Sequence, residues 1–188
     1  MAWAEEELGG AVLGDVRLTK RLVRLVDDWS SSPTKSIPVA CAGHAEVKAA
    51  YRLLDNAGLD WRAVLGAHGV PTAARMAREA RVLCIQDTTE LDFTSQPGIA
   101  GLGRLTYDRQ HGMYVHPTLA VSEGGVALGV LDAWMWSRKP KGEADVLESL
   151  RWTEGYGRVA ELAARGVIKS DASLANPDYA ACFSMPRQ

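Results

Sequence analysis

A chain of 188 residues, 47% hydrophobic and 23% charged, is sized for one ordinary domain, or a small domain with part of another. A formal charge of -2 and a pI near 6.1 do not advertise a nucleic-acid binder, although a local basic face can hide inside an averaged charge. The opening MAWAEEELGG has no apolar signal segment, no run approaches the roughly 20 apolar residues of a membrane span, and Cys41, Cys84 and Cys182 form no CxxC. Reduced thiols in a cytoplasmic protein with no membrane partner are the expectation.

In chain order, GDVRLTKRLVRLVDDWSSSP predicts a helix capped by Asp15 and ending at Ser30 to Pro33. Leu18, Leu22, Leu25 and Trp29 make its apolar stripe. Arg17, Lys20, Arg21 and Arg24 lie on other parts of the helix, and Arg17, Arg21 and Arg24 share a spacing that lines them up as a basic ridge. Such a ridge is either a solvated helix face or a surface that meets phosphates. A proline-containing loop, SSSPTKSIPVACAG, leads to a second helix, HAEVKAAYRLLDNAG. Its expected apolar face is Val47, Ala50, Tyr51 and Leu54, with Lys48 and Arg52 outside and Asn56-Ala57-Gly58 as the stop. LDWRAVLGAHG reads as a short third helix capped by Asp60, and VPTAARMAREA as a fourth with Pro71 near its first turn.

The pattern changes at Arg81. VLCIQD is almost continuously apolar, as a strand buried on both faces would be. A glycine-rich loop or hairpin segment, TSQPGIAGLGRLTYDRQHG, follows. MYVHPTLAVS and VALGVLDAWMWS then read as two strands joined by a tight turn at Glu123-Gly124-Gly125. DVLESLRWTEGYGRVAELAARG is a helix, broken or kinked near Gly155 to Gly157, with Leu147, Leu150, Val159 and Leu162 as its expected buried residues. The expected domains are a helical 1–80, a mixed 81–165 and a divergent tail, 166–188.

Asp87 stands at the tip of the first strand. A carboxylate there is either a strand-end residue bonding to loop amides or a ligand for catalytic Mg²⁺ ions held roughly 4 Å apart. Were the strand to continue, alternation would put Glu90 and Asp92 on the opposite face. His44, His68, His111 and His116 show no HxxxH or HExxH spacing, and His116 reads as a hydrogen-bonded core residue. GIAGLG lacks the GK[ST] of a phosphate loop, and Ser30-Ser31-Ser32 lacks a nucleophile-elbow context. Trp134 and Trp136, two apart, face the same way for core packing or a subunit contact.

Five motifs in order resemble the N-terminal part of a bacterial DDE transposase of the Tn-five-like insertion-sequence group. They are LGDVRLTKRL, AAYRLLDN, IQDTTELDF, GMYVHPTLAVS and LGVLDAWMWSRKP, within a resemblance running from about Trp3 to about Ala164. The resemblance implies an α/β chain: an N-terminal helical DNA-binding domain followed by a ribonuclease H-like core. It implies binding to transposon inverted-repeat ends, dimerisation, and DNA cutting and joining with Mg²⁺ or Mn²⁺. Asp87 would then be a catalytic metal ligand, and Arg17, Lys20, Arg21, Arg24, Lys48 and Arg52 would meet the DNA backbone.

The chain departs from the family after Arg165. No apolar strand ending in a DRE-like motif follows; Asp171 and Asp178 stand near the expected distance, and SLANP before Asp178 makes a poor central strand. The expectation is a truncated or frameshifted copy with an incomplete ribonuclease H-like core. It binds element ends, lacks a complete metal site and is unable to cut or join DNA. The alternatives are a nuclease using a reduced site of Asp87, Glu90 and Asp92 or Asp178, and a non-enzymatic inhibitor pairing with intact transposase. Half a sheet also leaves a strand edge for the tail to cover.

Overall fold

The computed structural model describes residues 3–140, 148–164, 169–170 and 180–184, with only the backbone described at 148–149, 151, 162–164, 169–170 and 180–184. The chain forms two compact units, Met1–Pro71 and Thr72–Gln188.

The first unit holds α1 (Trp3–Leu8), α2 (Val16–Ser30), α3 (Ile37–Ala40), α4 (His44–Leu54) and the start of α5 (Trp61–Met76). α2 begins where the sequence places it. The Asp15 side chain accepts from the Arg17 N–H at 2.8 Å, satisfying one of the donors that a helix start leaves open. Leu18, Leu22 and Leu25 are buried and Trp29 packs beside them. They join Leu8, Leu13, Ala50 and Leu53 in one core.

Expectations for α4 and α5 are corrected. In α4 the stripe that turns inward is Val47, Ala50 and Leu53, while Tyr51 and Leu54 are 45% and 47% exposed. Both choices fit a helical period, and the position of the core selects between them. The third and fourth helices are one helix, α5, which runs through Pro71. Asp60 does cap it, accepting from the Arg62 N–H at 2.9 Å. A proline in a helix interior costs about 3 kcal/mol. Here the next turn carries Thr72 and Met76, both completely buried, so burial holds the helix where local propensity would end it.

The second unit is built on one seven-stranded sheet whose described pairings are all antiparallel. Its strands are β1 (Arg81–Gln86), β2 (Thr89–Asp92), β3 (Gly103–Arg104), β4 (His111–Ser122), β5 (Ala127–Trp136), β6 (Lys169–Ser170) and β7 (Ala180–Ser184). Helices plus an antiparallel sheet give the chain its α/β character. The β4–β5 turn forms as expected, with Gly125 at φ 79° and its N–H donating to the Ser122 carbonyl at 2.9 Å.

β1 and β2 are one strand path laid along β4. The register from Gln86↔Thr118 continues unbroken at Thr89↔Val115. The interruption at Asp87 and Thr88 lies opposite His116 and Pro117, and proline has no N–H to offer a ladder. Continuous register fixes the faces: Asp87 shares one with Leu83 and Ile85, and Glu90 and Asp92 share the other with Val82 and Cys84.

Burial is one-sided, which corrects the doubly buried reading of β1. Val82 and Cys84 are fully buried against Met76, Ala120, Leu128 and Val159, whereas Ile85 on the other face is 39% exposed. Val159 comes from α6 (Glu148–Ala164), which covers the buried face. α6 is continuous across Gly155 and Gly157, so the expected break is absent. A Cβ at Gly155 would lie 2.1 Å from the Gln86 Oε1, so this glycine leaves room for the Gln86 side-chain amide. Leu150 is exposed, contrary to expectation; Leu147 and the Leu162 side chain lie outside the described residues. From the tail, β7 runs antiparallel along the free edge of β1, and β6 pairs with β7.

Candidate nucleic-acid interface

The basic residues singled out in α2 and α4 are all at the surface: Arg17, Lys20, Arg21, Arg24, Lys48 and Arg52 are exposed. Residues 17, 20, 21 and 24 recur at three- and four-residue steps, which puts their side chains on one strip of α2. Beside that strip lies a groove of about 280 Å³. Lys20, Arg21, Arg24 and Asp28 line it from α2, and Ala45, Glu46, Ala49 and Ala50 from α4. The alanines keep its α4 wall low. Lys48 and Arg52 each stand three residues beyond one of them, Ala45 and Ala49, on the adjoining strip of α4. Cys41 is also part of the lining; burial pushes its thiol pKa up, so the sulfur stays protonated and uncharged.

The six cations are not equivalent. Arg17 is paired with its own cap residue, Asp15, at 3.0 Å. The side-chain hydrogen bond from Arg17 holds the Asp15 carboxyl below the usual range, and the same contact raises Arg17. Arg24 is paired with Asp28 at 3.3 Å. Among the described residues, Lys20, Arg21, Lys48 and Arg52 make no salt bridge. Residues 1–71 contain eight basic and nine acidic side chains, so attraction for an anion comes from arrangement rather than net charge. Exposed cations that are not held by a carboxylate are free to meet an anion, and phosphates of a nucleic-acid backbone are one such anion.

Residues 1–59 match the family model described as transposase DNA-binding. The match spans α1 to α4, and with them every one of the six cations. It supports a transposase N-terminus and a DNA-binding, transposase-related role, with DNA as the partner.

The groove itself is not legible in the sequence. Ala45 and Ala49 at a four-residue step were the available signal, but nothing local says that they face α2. Equally illegible was the Glu7–His68 contact. Glu7, in the acidic run of α1, is 3% exposed and lies 2.7 Å from the His68 Nδ1, 61 residues away.

In the second unit Asp87 is exposed, and its Oδ1 accepts from the Thr88 N–H at 2.8 Å. Glu90 and Asp92 are engaged elsewhere. Glu90 accepts from the Thr106 N–H at 3.0 Å and from its hydroxyl. Asp92 accepts from the Thr94 N–H at 2.9 Å and the Gln110 side-chain amide at 2.9 Å. No three His, Cys, Asp or Glu side chains gather as metal ligands among the described residues. Asp171 and Asp178 lie outside them. Beneath Asp87, on the opposite face, His116 is fully buried. Its Nδ1 is 2.8 Å from the Thr88 hydroxyl, its Nε2 is 3.1 Å from the Gln86 Oε1, and Trp152 meets its ring edge-on. Trp136 stacks on Tyr114 with ring centres 5.4 Å apart. Among the described residues no helix is long and apolar enough to cross a membrane.

The Glu90 and Asp92 clasps predict acid sensitivity. Side-chain hydrogen bonds from Thr106 and Thr94, respectively, are the largest cause lowering the two carboxyls. Depressed folded-state values add stability that is present above the unfolded carboxylate pKa, about 4, and lost as pH falls through the folded values. Glu90→Gln should therefore lower the Tm at neutral pH, with the gap to the parent closing below about pH 4. Thermal melts across that range measure it; a gap constant with pH would contradict the assignment.

Proposed function

We propose that the chain is a transposase-derived protein of the Tn-five-like group that grips transposon-end DNA through α2 and α4, and that it does not by itself cut or join DNA. The carrying observation is the set of four uncommitted cations beside the α2–α4 groove, inside the segment matching transposase DNA-binding. The five ordered sequence motifs support reading the second unit as derived from a ribonuclease H-like core. In that reading Asp87 is the first metal ligand of the ancestral site. A two-metal reaction needs several converging oxygen ligands, and Asp87 is on the opposite sheet face from Glu90 and Asp92. Of these three carboxylates Asp87 stands apart on its face, and its Oδ1 already accepts from the Thr88 N–H.

The test is incubation of the full chain with labelled element-end DNA and Mg²⁺ or Mn²⁺, alongside a binding titration. Salt-sensitive binding without new strand breaks is expected. Cleavage that disappears in Asp87→Ala would overturn the non-cleaving part and establish a working acidic site. Absence of binding at low salt would overturn the DNA-gripping part.

A further inference from the structure

We infer that the hairpin from Gly103 to Gly112 is a second nucleic-acid contact, in which Tyr107 stacks on an unpaired base and Arg109 meets the neighbouring phosphate. The inference rests on the proposed DNA reading only in naming DNA as the polymer.

The hairpin is firmly mounted on one side and bare on the other. Leu105 is 1% exposed, and its N–H donates to the Gln110 carbonyl at 3.0 Å. Thr106 is clasped by Glu90, and the Arg138 guanidinium donates to the Leu105 carbonyl at 3.4 Å while lying over the Tyr114 ring. The strand ends come close to their neighbours. A Cβ at Gly103 would lie 2.3 Å from the Arg138 carbonyl oxygen, and one at Gly112 would lie 2.0 Å from that of Leu91. At the tip, the Gln110 N–H donates to the Tyr107 carbonyl at 2.8 Å, closing the turn.

From this mount Tyr107 projects with 71% of its surface exposed, more than any other large aromatic side chain found exposed in the described residues. Arg104 is held by Asp108 at 3.5 Å, while Arg109 is exposed and makes no salt bridge among the described residues. A protruding aromatic ring with a free guanidinium two residues away suits a nucleic-acid strand: every base has a π-face, and every linkage has a phosphate. In a duplex the bases are already stacked on one another, so the ring's partner is an unpaired base. Asp108, Glu90 and Asp92 temper the local charge, which makes stacking rather than bulk attraction the main contribution.

The experiment measures fluorescence anisotropy of labelled oligodeoxythymidine, about a dozen nucleotides long, with the full chain. Tyr107→Ala should weaken binding roughly 5- to 150-fold, and Tyr107→Phe, which keeps the ring, should remain within about twofold of the parent. Arg109→Ala should flatten the log affinity against log salt slope by about 0.7. Tyr107→Ala should leave duplex binding unchanged. Equal single-strand affinity in Tyr107→Ala and the parent would overturn the inference, as would a Tyr107→Phe variant as weak as Tyr107→Ala. Lys20→Ala/Arg21→Ala separates the two readings. If that variant keeps full duplex affinity the α2 assignment fails, and the Tyr107 dependence stands or falls on its own.

Discussion

Replacing Lys20, Arg21, Lys48 and Arg52 together with alanine should leave duplex binding weak and almost indifferent to salt. Each phosphate neutralised by a cation contributes about -0.9 to the slope of log affinity against log salt on duplex DNA. Four contacts give the parent a slope near -3.6, or roughly a hundredfold loss of affinity between about 50 and 200 mM salt. The quadruple variant should lose nearly all of that slope. Arg17→Ala should matter less, because Arg17 is engaged with Asp15 and Arg24 with Asp28, and a phosphate would have to displace a carboxylate first. All four side chains are exposed, so the variant should fold normally. Anisotropy titrations at several salt concentrations, on element-end and unrelated duplexes, decide it. The loss should be alike on both, since backbone contacts carry no sequence information. A slope unchanged from the parent would remove the four cations from the interface.

How legible this was depends on whether the deciding force is local. The start and stripe of α2 are legible because the Asp15 cap and the leucine spacing are local signals. The β4–β5 hairpin was equally readable, since Glu123-Gly124-Gly125 sits between two apolar runs. The sequence predicts breaks in α5 and α6 because Pro71 and Gly155 are breakers by local rule. In both cases burial prevails: that of Thr72 and Met76 in one, and that of Val159 against the sheet in the other. For Tyr51 and Leu54 the period alone does not say which of two neighbouring stripes meets the core. The cations of the candidate interface are visible as a spacing, and the groove beside them is not, because its other wall belongs to a different helix. For Asp87, the alternation rule anticipated the separation from Glu90 and Asp92, given an uninterrupted register. Only the structure shows that the register persists past Pro117.

Gly112→Ala should be the most damaging small substitution in the second unit. Its added methyl would sit 2.0 Å from the Leu91 carbonyl oxygen and 2.9 Å from the Leu105 Cδ1, and the first of these is backbone. β2 and the Leu105 anchor cannot both hold their places, so the pairings Asp92↔Gly112 and Gly103↔Gly112 must open together. Overpacking a well-filled site costs about 1 to 3 kcal/mol, and a clash against strand backbone belongs at or beyond the top of that range. Gly124→Ala is the matched control: its methyl would meet nothing nearer than the Ser122 Oγ at 3.8 Å, in an open turn. Urea denaturation should show a large fall in midpoint for the first variant and almost none for the second. Because Leu105 seats the hairpin that carries Tyr107, Gly112→Ala should also lose single-strand binding. Duplex binding through α2 and α4 should survive wherever the first unit remains folded. Equal midpoints for the two variants would mean that the strand path past Gly112 is not as described, and with it the mounting of Tyr107.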